Sequence, residues 1–368
     1  MSGKFKKIIL ASAIMCLSMM VGCEAVSRNL VKDYDGYYDA VKNQLYNYES
    51  EIVVDVKNYD ENIFNGAVIN DILEDHLELS GNFDNTKVKT IDLKLFVRVI
   101  LEPEYYESKE VLVNKNNKIN KKVEEILSTV TRAEMKDYEK ERALHDYLIN
   151  NCKYDERIFS EDMPKESYTA YGALIDGIAV CQGYAVAMDK LLKAAEIETM
   201  TILGEARNKD GYISHAWNLV KLGGEYYHLD ATWDDPVMDD GSNKLRYSYF
   251  NITDEQIKDT HKWDESNYPK ATRTEYSFDN LNLVEKDLNG DNIVVVKDKN
   301  EFSNYIKEDF LSNISGKTYK ILYFKGGQTD IEDSIQQAFT SGINIEQCRY
   351  TLEIDEVTKA AYVSLSFN

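Results

Sequence analysis

Ile178-Ala-Val-Cys-Gln-Gly-Tyr184 is followed by His215-Ala-Trp-Asn218 and then by Leu229-Asp-Ala-Thr-Trp-Asp-Asp-Pro236. Gly177 and the apolar Ile178-Ala-Val180 read as a buried approach to a turn. From Cys181 onward the pattern becomes helical, because Ala187, Met188, Leu191, Leu192 and Ala195 recur at the spacing of one helix face. Cys181 is therefore expected at a helix N-terminus, where unpaired backbone N–H groups favour negative charge and lower a thiol pKa. His215 to Lys221 and Glu225 to Thr232 are short runs rich in aromatic and branched residues, and Leu222-Gly-Gly224 between them is a hairpin signal. Adjacent antiparallel strands would bring His215 and Asp230 side by side. A thiol is a useful nucleophile only as its thiolate. A histidine can hold the proton, and a carboxylate can fix that histidine's tautomer and orientation.

With these blocks in hand, the stretch from Asn120 to Trp263 resembles the transglutaminase-like superfamily, which is related to the papain-type cysteine proteases. The matching pieces are Val180-Cys-Gln-Gly-Tyr-Ala185, His215-Ala-Trp-Asn218 and Tyr227-His-Leu-Asp-Ala-Thr-Trp-Asp-Asp-Pro236. Weaker matches are the helix ending in Tyr154-Asp155, and Tyr249-Phe250 with His261-Lys-Trp263. The resemblance implies an α+β fold whose core is a nucleophile helix packed on an antiparallel sheet. It implies Cys181 as nucleophile, His215 as base and acid, and Asp230 as the group that orients the histidine. It implies no cofactor and no metal. Members of the superfamily include crosslinking enzymes, deamidases, peptidases and inactive binding modules, so the substrate stays open.

Other residues near these blocks have plainer readings. A lone cysteine ahead of a helix is most often buried and inert. His228 stands two residues from Asp230, on the same strand face by alternation, and is a rival base or a supporting group. His145 lies in the helical stretch Tyr138 to Asn150 and reads as structural or exposed. Trp217 and Trp233 read as core or cleft walls. Tyr168, Tyr171 and Gln182 are candidate side-chain donors to an oxyanion, and the sequence does not choose among them. A zinc site from Cys181, His215, His228 and Asp230 lacks the close ligand spacing of structural zinc.

The first residues carry a separate signal. Lys4, Lys6 and Lys7 precede an uncharged apolar run from Ile8 to Val21, too short for a comfortable membrane span, and Gly22-Cys23 closes it. This reads as a signal peptide over 1–22 whose end resembles a bacterial lipoprotein signal. It predicts lipidation of Cys23, a tether over 23–32, and a protein held by acyl chains on the outer face of the bacterial plasma membrane. The formal net charge is -21 although the leader is basic, so the body argues against nucleic acid and against adhesion to anionic lipid. Of five cysteines, Cys152, Cys181 and Cys348 lie beyond the leader. An odd number in an exported chain suggests a free thiol, and a Cys152–Cys348 disulfide is left open.

Periodicity extends the domain plan. Residues 33–113 read as a small α/β domain, with helices over Asp33 to Tyr48 and Asn62 to Leu79 and strands over Glu51 to Val56 and Thr90 to Leu101. The alternation of Ile91, Leu93, Leu95, Val97 and Val99 predicts one half-buried strand ended by Pro103. The Lys- and Asn-rich run from Asn114 to Lys122 predicts a boundary. Residues 114–270 form the transglutaminase-like unit. Residues 277–368 read β-α-β-α-β-β, a second small α/β domain. Asp287-Leu-Asn-Gly-Asp-Asn292 reads as an Asn-Gly turn in preference to a calcium loop. The whole is expected to be a surface-anchored thiol enzyme, acting by acyl transfer on amide bonds of protein or cell-wall peptides. The alternative is a non-catalytic binding or structural module on the same fold.

Overall fold

The computed structural model describes residues 30–159, 163–208, 211–235, 246–281, 293–312, 314–322, 324, 326–338, 348–354 and 360–367. The chain divides into two units, Met1–Asn116 and Asn117–Asn368. In the first, Asp33 caps α1 (Tyr34–Tyr46), its carboxylate accepting the Gly36 N–H at 2.9 Å. The strands β1 (Leu30–Val31), β2 (Ile52–Val56), β3 (Phe83–Asp92) and β4 (Val97–Tyr105) form a sheet in the order β1-β2-β4-β3. Tyr37, Val41 and Leu45 of α1 and Ile69 and Ile72 of α2 (Val68–Asp75) pack with Val54, Val99 and Leu101 of the sheet.

Two expectations fail here. The alternating run through Ile91 and Val97 is a hairpin and not one strand, with a turn at Leu93 to Phe96. The Asp92 carboxylate accepts the Lys94 N–H at 2.7 Å and Lys94 takes φ 69, an Asx turn that reverses the chain without glycine or proline. Pro103 lies inside β4, opposite Thr86; the β2 register stops at Leu101, so no strand needs an N–H from proline on that side. The Asn114 to Lys122 run does hold the division between the two units, at Asn116–Asn117, but as the middle of the continuous helix α3 (Lys109–Val130). Lysine and asparagine face solvent there, while Leu112, Ile119, Val123 and Ile126 are buried at helical spacing.

In the second unit α4 (Asp137–Asn151) leads into β5 (Lys153–Tyr154), which pairs in parallel with β6 (Ile178–Ala179). α5 (Cys181–Ala194) starts two residues after β6. Then β7 (Thr199–Asn208), β8 (Gly211–Leu222), β9 (Glu225–Leu229), β10 (Phe250–Ile252) and β11 (His261–Trp263) build an antiparallel sheet in the order β10-β9-β8-β7-β11. The expected hairpin turns at Gly223-Gly224, with Asn218 opposite Leu229. Asn218 donates to the Ala185 carbonyl at 3.0 Å, tying the sheet to α5. Ile202, Trp217, Leu219, Ile252 and Ile257 form an apolar core.

The last part follows the expected order, with β12 (Val294–Val296), α6 (Lys299–Leu311), β13 (Lys317–Ile321), α7 (Gln328–Ala338), β14 (Cys348–Ile354) and β15 (Ala361–Phe367). Its sheet runs β12-β13-β15-β14 over a core that includes Phe302, Ile306, Tyr319, Ile331 and Val363. Asp298 caps α6 through the Asn300 and Glu301 N–H groups at 2.8 and 3.1 Å. Asp287 to Asn292, the leader and Cys23 lie outside the described residues. Cys152 and Cys348 are free thiols, which closes the disulfide left open above. Among the described residues no helix is long and apolar enough to cross a membrane.

Candidate active site: one thiol, two histidines and one carboxylate

Several short contacts place Cys181. Tyr154 pairs with Ala179, and the Asp155 N–H reaches the Ala179 carbonyl at 2.9 Å. The buried Asp155 carboxylate receives Arg157 through two nitrogens, at 2.8 and 2.9 Å, and the Ser167 hydroxyl at 2.5 Å. The Ser167 carbonyl in turn accepts the Val180 N–H at 2.9 Å. This explains the weak Tyr154-Asp155 match: that pair clamps the approach to the nucleophile. Gly183 completes the fit, because a Cβ there would stand 2.6 Å from the Ser167 carbonyl oxygen. α5 therefore starts close against this loop, and no side chain of its N-cap residue Val180 accepts the first N–H groups. The N-terminal end of α5 favours negative charge at Cys181.

The hairpin supplies the partners. His215 Nε2 lies 2.6 Å from Asp230 Oδ2, and the imidazole's other side is hydrogen-bonded to Cys181. With Nε2 committed to Asp230, it is Nδ1 that faces the thiol. Burial alone would raise the Cys181 thiol. The His215 imidazolium, its hydrogen bond and the Ala216 N–H outweigh burial and hold the thiol below its ordinary value. Burial would lower His215, but the charges of Asp230 and Cys181 raise it to about 10. Burial would raise Asp230, but His215 and a second histidine, His261, hold it well below the usual carboxylate range. His261 Nε2 is 3.0 Å from the same Oδ2. Asp230 Oδ1 accepts the N–H groups of Thr232 and Trp233 at 3.0 and 3.2 Å. These shifts all favour a thiolate–imidazolium pair on an ionised carboxylate.

The other singled-out residues fall around this line. Trp217 stacks on His215 at 5.9 Å and 22°, and donates from Nε1 to His228 Nδ1 at 3.0 Å. His228 Nε2 is 2.9 Å from Asp254 Oδ1, so both its ring nitrogens are engaged away from Asp230 and Cys181. Trp233 is partly exposed, 6.0 Å from the His215 ring and 4.8 Å from the His261 ring. Gln182 follows Cys181 on the first turn of α5, and Tyr171 opens the short helix before Gly177, its ring 5.9 Å from Lys118 Nζ. Tyr154 is the residue the sequence reading passed over. Burial first, then the negative charges of Cys181 and Asp230, raise its phenol, so it keeps its proton.

Gly204 shows what the aromatic face requires. It pairs with both His215 and Trp263, and a Cβ there would meet the Lys262 carbonyl oxygen at 2.3 Å and the Trp217 ring at 2.8 Å. Only glycine lets β11 and Trp217 close over β7 at this point. His215, Asp230 and His261 also bring their ligand atoms within 4.8 Å of one another, a spacing a metal could use. Yet ligands on one tetrahedral zinc, with bonds of about 2.0–2.1 Å, stand about 3.3 Å apart. The 2.6 Å His215–Asp230 contact is that of a charge-assisted hydrogen bond. His228 is closed to a metal by its own two partners.

A buried cluster behind the site was also not legible beforehand. His145 of α4 bonds Asp234 at 3.1 Å and Asp146 at 3.2 Å. Asp234 also accepts the Tyr249 N–H at 2.8 Å, and Asp235 accepts the Tyr184 hydroxyl at 2.6 Å. The loop after β9 thus holds β8 and β11 through Asp230, α4 through Asp234 and α5 through Asp235.

A family model of the transglutaminase-like superfamily matches residues 124–231. The kyphoscoliosis peptidases of Mus musculus and Homo sapiens are 23% identical over 133 and 135 residues, 34% of this chain and 20% of each relative. The chain thus spans about a fifth of the length of those relatives. A solved structure of a TGase aligns over 55% of this chain and 59% of its own, with a TM-score of 0.28 and 11% identity. Cys181, His215 and Asp230 all lie inside the matched segment, and the protein carries a transglutaminase-like domain.

Proposed function

We propose that this domain is a thiol enzyme that transfers acyl groups from amide bonds through a thioester on Cys181. The observation that carries the reading is the continuous line from Cys181 through His215 to Asp230, closed by a 2.6 Å hydrogen bond. The thiolate attacks the amide carbonyl. His215 gives its Nδ1 proton to the leaving amine, and water or a second amine then releases the acyl group. The oxyanion is met by the Cys181 N–H and, we infer, by the Tyr154 phenol, which keeps its proton within the field of Cys181 and Asp230. Peptides and proteins are the substrate class, with hydrolysis favoured over crosslinking. A bacterial envelope setting brings cell-wall peptides and envelope proteins within reach of the site. That setting rests on Lys4, Lys6 and Lys7, the apolar run and Gly22-Cys23, which support a lipid anchor at Cys23.

The test is incubation of the protein with purified cell wall, with envelope proteins and with a labelled primary amine, followed by mass spectrometry. Released peptides, joined chains or amine-labelled protein, all absent with Cys181→Ser, are expected. If no acyl-enzyme and no product forms in any arm, the binding-module reading takes over. For the anchor, Cys23→Ala should move the protein out of the membrane fraction; unchanged membrane partition would remove it.

A further inference from the structure

The use of His261 is the feature that the Cys–His–Asp line does not explain. It lies on β11, the edge strand that returns to pair with β7, and it is 1% exposed. Its Nε2–H donates to the same Asp230 oxygen that receives His215. Its Nδ1 is 2.9 Å from the Thr260 hydroxyl, which also lies 3.2 Å from the Ile257 carbonyl. The Trp217, Trp233 and Tyr249 rings pack against it at 4.9, 4.8 and 5.4 Å. A carboxylate gripped only at Oδ1 by backbone N–H groups can still swing Oδ2. A second donor on Oδ2 removes that freedom. The donor must be neutral, because a second cation would compete with the His215 imidazolium. Burial, together with the charge of His215 and the neighbouring His228, keeps His261 below its ordinary value, against the pull of Asp230. The groups that face it are therefore Asp230 from the loop after β9, His215 from β8, His228 from β9 and Tyr249 ahead of β10.

We propose that His261 is a positioning residue of this site: a neutral imidazole that holds Asp230 Oδ2 on the line to His215, and so sets how firmly the imidazolium is kept against Cys181. The consequence for turnover rests on the acyl-transfer reading, but the consequence for the charge pair does not. The pair makes the Cys181 and His215 titrations move apart, so loosening it moves both limbs toward each other.

The experiment uses the whole chain and needs no substrate. The rate of Cys181 alkylation by iodoacetamide is followed against pH, and the downfield proton NMR signal of the His215 Nε2–H reports its titration. His261→Ala should slow alkylation in mild acid about tenfold and lower the His215 midpoint by about one unit. His261→Gln, whose amide can still donate to Oδ2, should retain both limbs. In an Asp230→Asn background His261→Ala should add less than about twofold. Parent-like limbs in folded His261→Ala overturn the proposal, as does a full effect that persists without the Asp230 charge. If His261→Ala does not fold, His261→Gln against His261→Asn decides. The shorter amide should shift the limbs and the longer one should not; equal behaviour overturns the idea. Absence of acyl transfer, by contrast, would remove the enzymatic reading and leave these titrations intact.

Discussion

Two buried histidine–aspartate pairs draw their carboxylates from one loop, four residues apart, and they behave differently. His215–Asp230 and His145–Asp234 are both buried, and in both the histidine is raised, to about 10 and about 9. The carboxylates diverge. Asp230 is held well below its ordinary range, while burial pushes Asp234 up to about 7. Counting donors explains it. Asp230 receives two imidazoles and two backbone N–H groups, whereas Asp234 receives one imidazole and one N–H. The second difference is what stands beyond the histidine. His215 meets a partly exposed thiol; His145 meets Asp146 and is stacked on Tyr247 at 5.4 Å. A buried His–Asp pair is thus not in itself a catalytic device. It becomes one when the carboxylate is fully ionised and the other imidazole nitrogen reaches a nucleophile.

The sharpest way to break this contrast is to neutralise each carboxylate. Asp230→Asn should cut turnover by about two to four orders of magnitude, by analogy with other triads, and should slow Cys181 alkylation in mild acid. Asp234→Asn should leave both within a few-fold, because Asp234 is already near half-protonated at neutral pH. Kinetics on the two variants side by side check this, and a large loss from Asp234→Asn alone would reverse the assignment. His145→Ala tests the other half. Removing one partner of a buried pair costs about 3–5 kcal/mol, so denaturant unfolding should shift strongly. Alkylation of the folded fraction should not change. Gly204→Ala is the next step down, about 1–3 kcal/mol from overpacking. Because the clash is with the Lys262 carbonyl, it should displace β11 and weaken the His261 contact, visible as a loss of the His261 imidazole proton signal.

The local parts of this site were legible in the sequence and the distant ones were not. The helix start at Cys181 and the Gly-Gly hairpin are set by periodicity and turn residues, and both stand where that pattern puts them. The joining of His261 to Asp230 spans 31 residues, and that of His145 to Asp234 spans 89. Nothing in one strand's pattern says which edge it will pair with, so His261-Lys-Trp263 read only as a weak family match with no role. His228 shows the opposite error. Alternation puts it on the face of Asp230, but Trp217 and Asp254 take both ring nitrogens. The missed hairpin at Leu93 carried a usable cue, since Asp92 is placed for an Asx turn, but unbroken alternation hid it.

Glu141 extends the donor count to its lowest value. It lies on α4, fully buried, and its Oε2 receives only the Asn251 amide at 2.8 Å. Asn251 reaches it from a bulge in β10, at φ 56, a conformation asparagine tolerates. Its Oε1 has no hydrogen-bond partner among the described residues. Burial pushes the carboxyl up to about 8, and the Asn251 hydrogen bond and the His145 charge offset this only in part. A raised acid keeps a proton in the folded state that the unfolded chain has released. Stability therefore falls as pH rises from 4.5 to about 8, and stays at the lower level above that. Glu141→Gln carries a permanent neutral amide and has no such term. Melting temperatures of the two proteins should agree near pH 5. The parent should fall behind progressively to pH 8, and the gap should then stay constant. A gap that is flat with pH, or that closes as pH rises, would mean Glu141 is ionised like an exposed acid. Donor count would then fail to order the buried carboxyls, and the contrast between Asp230 and Asp234 would need another cause.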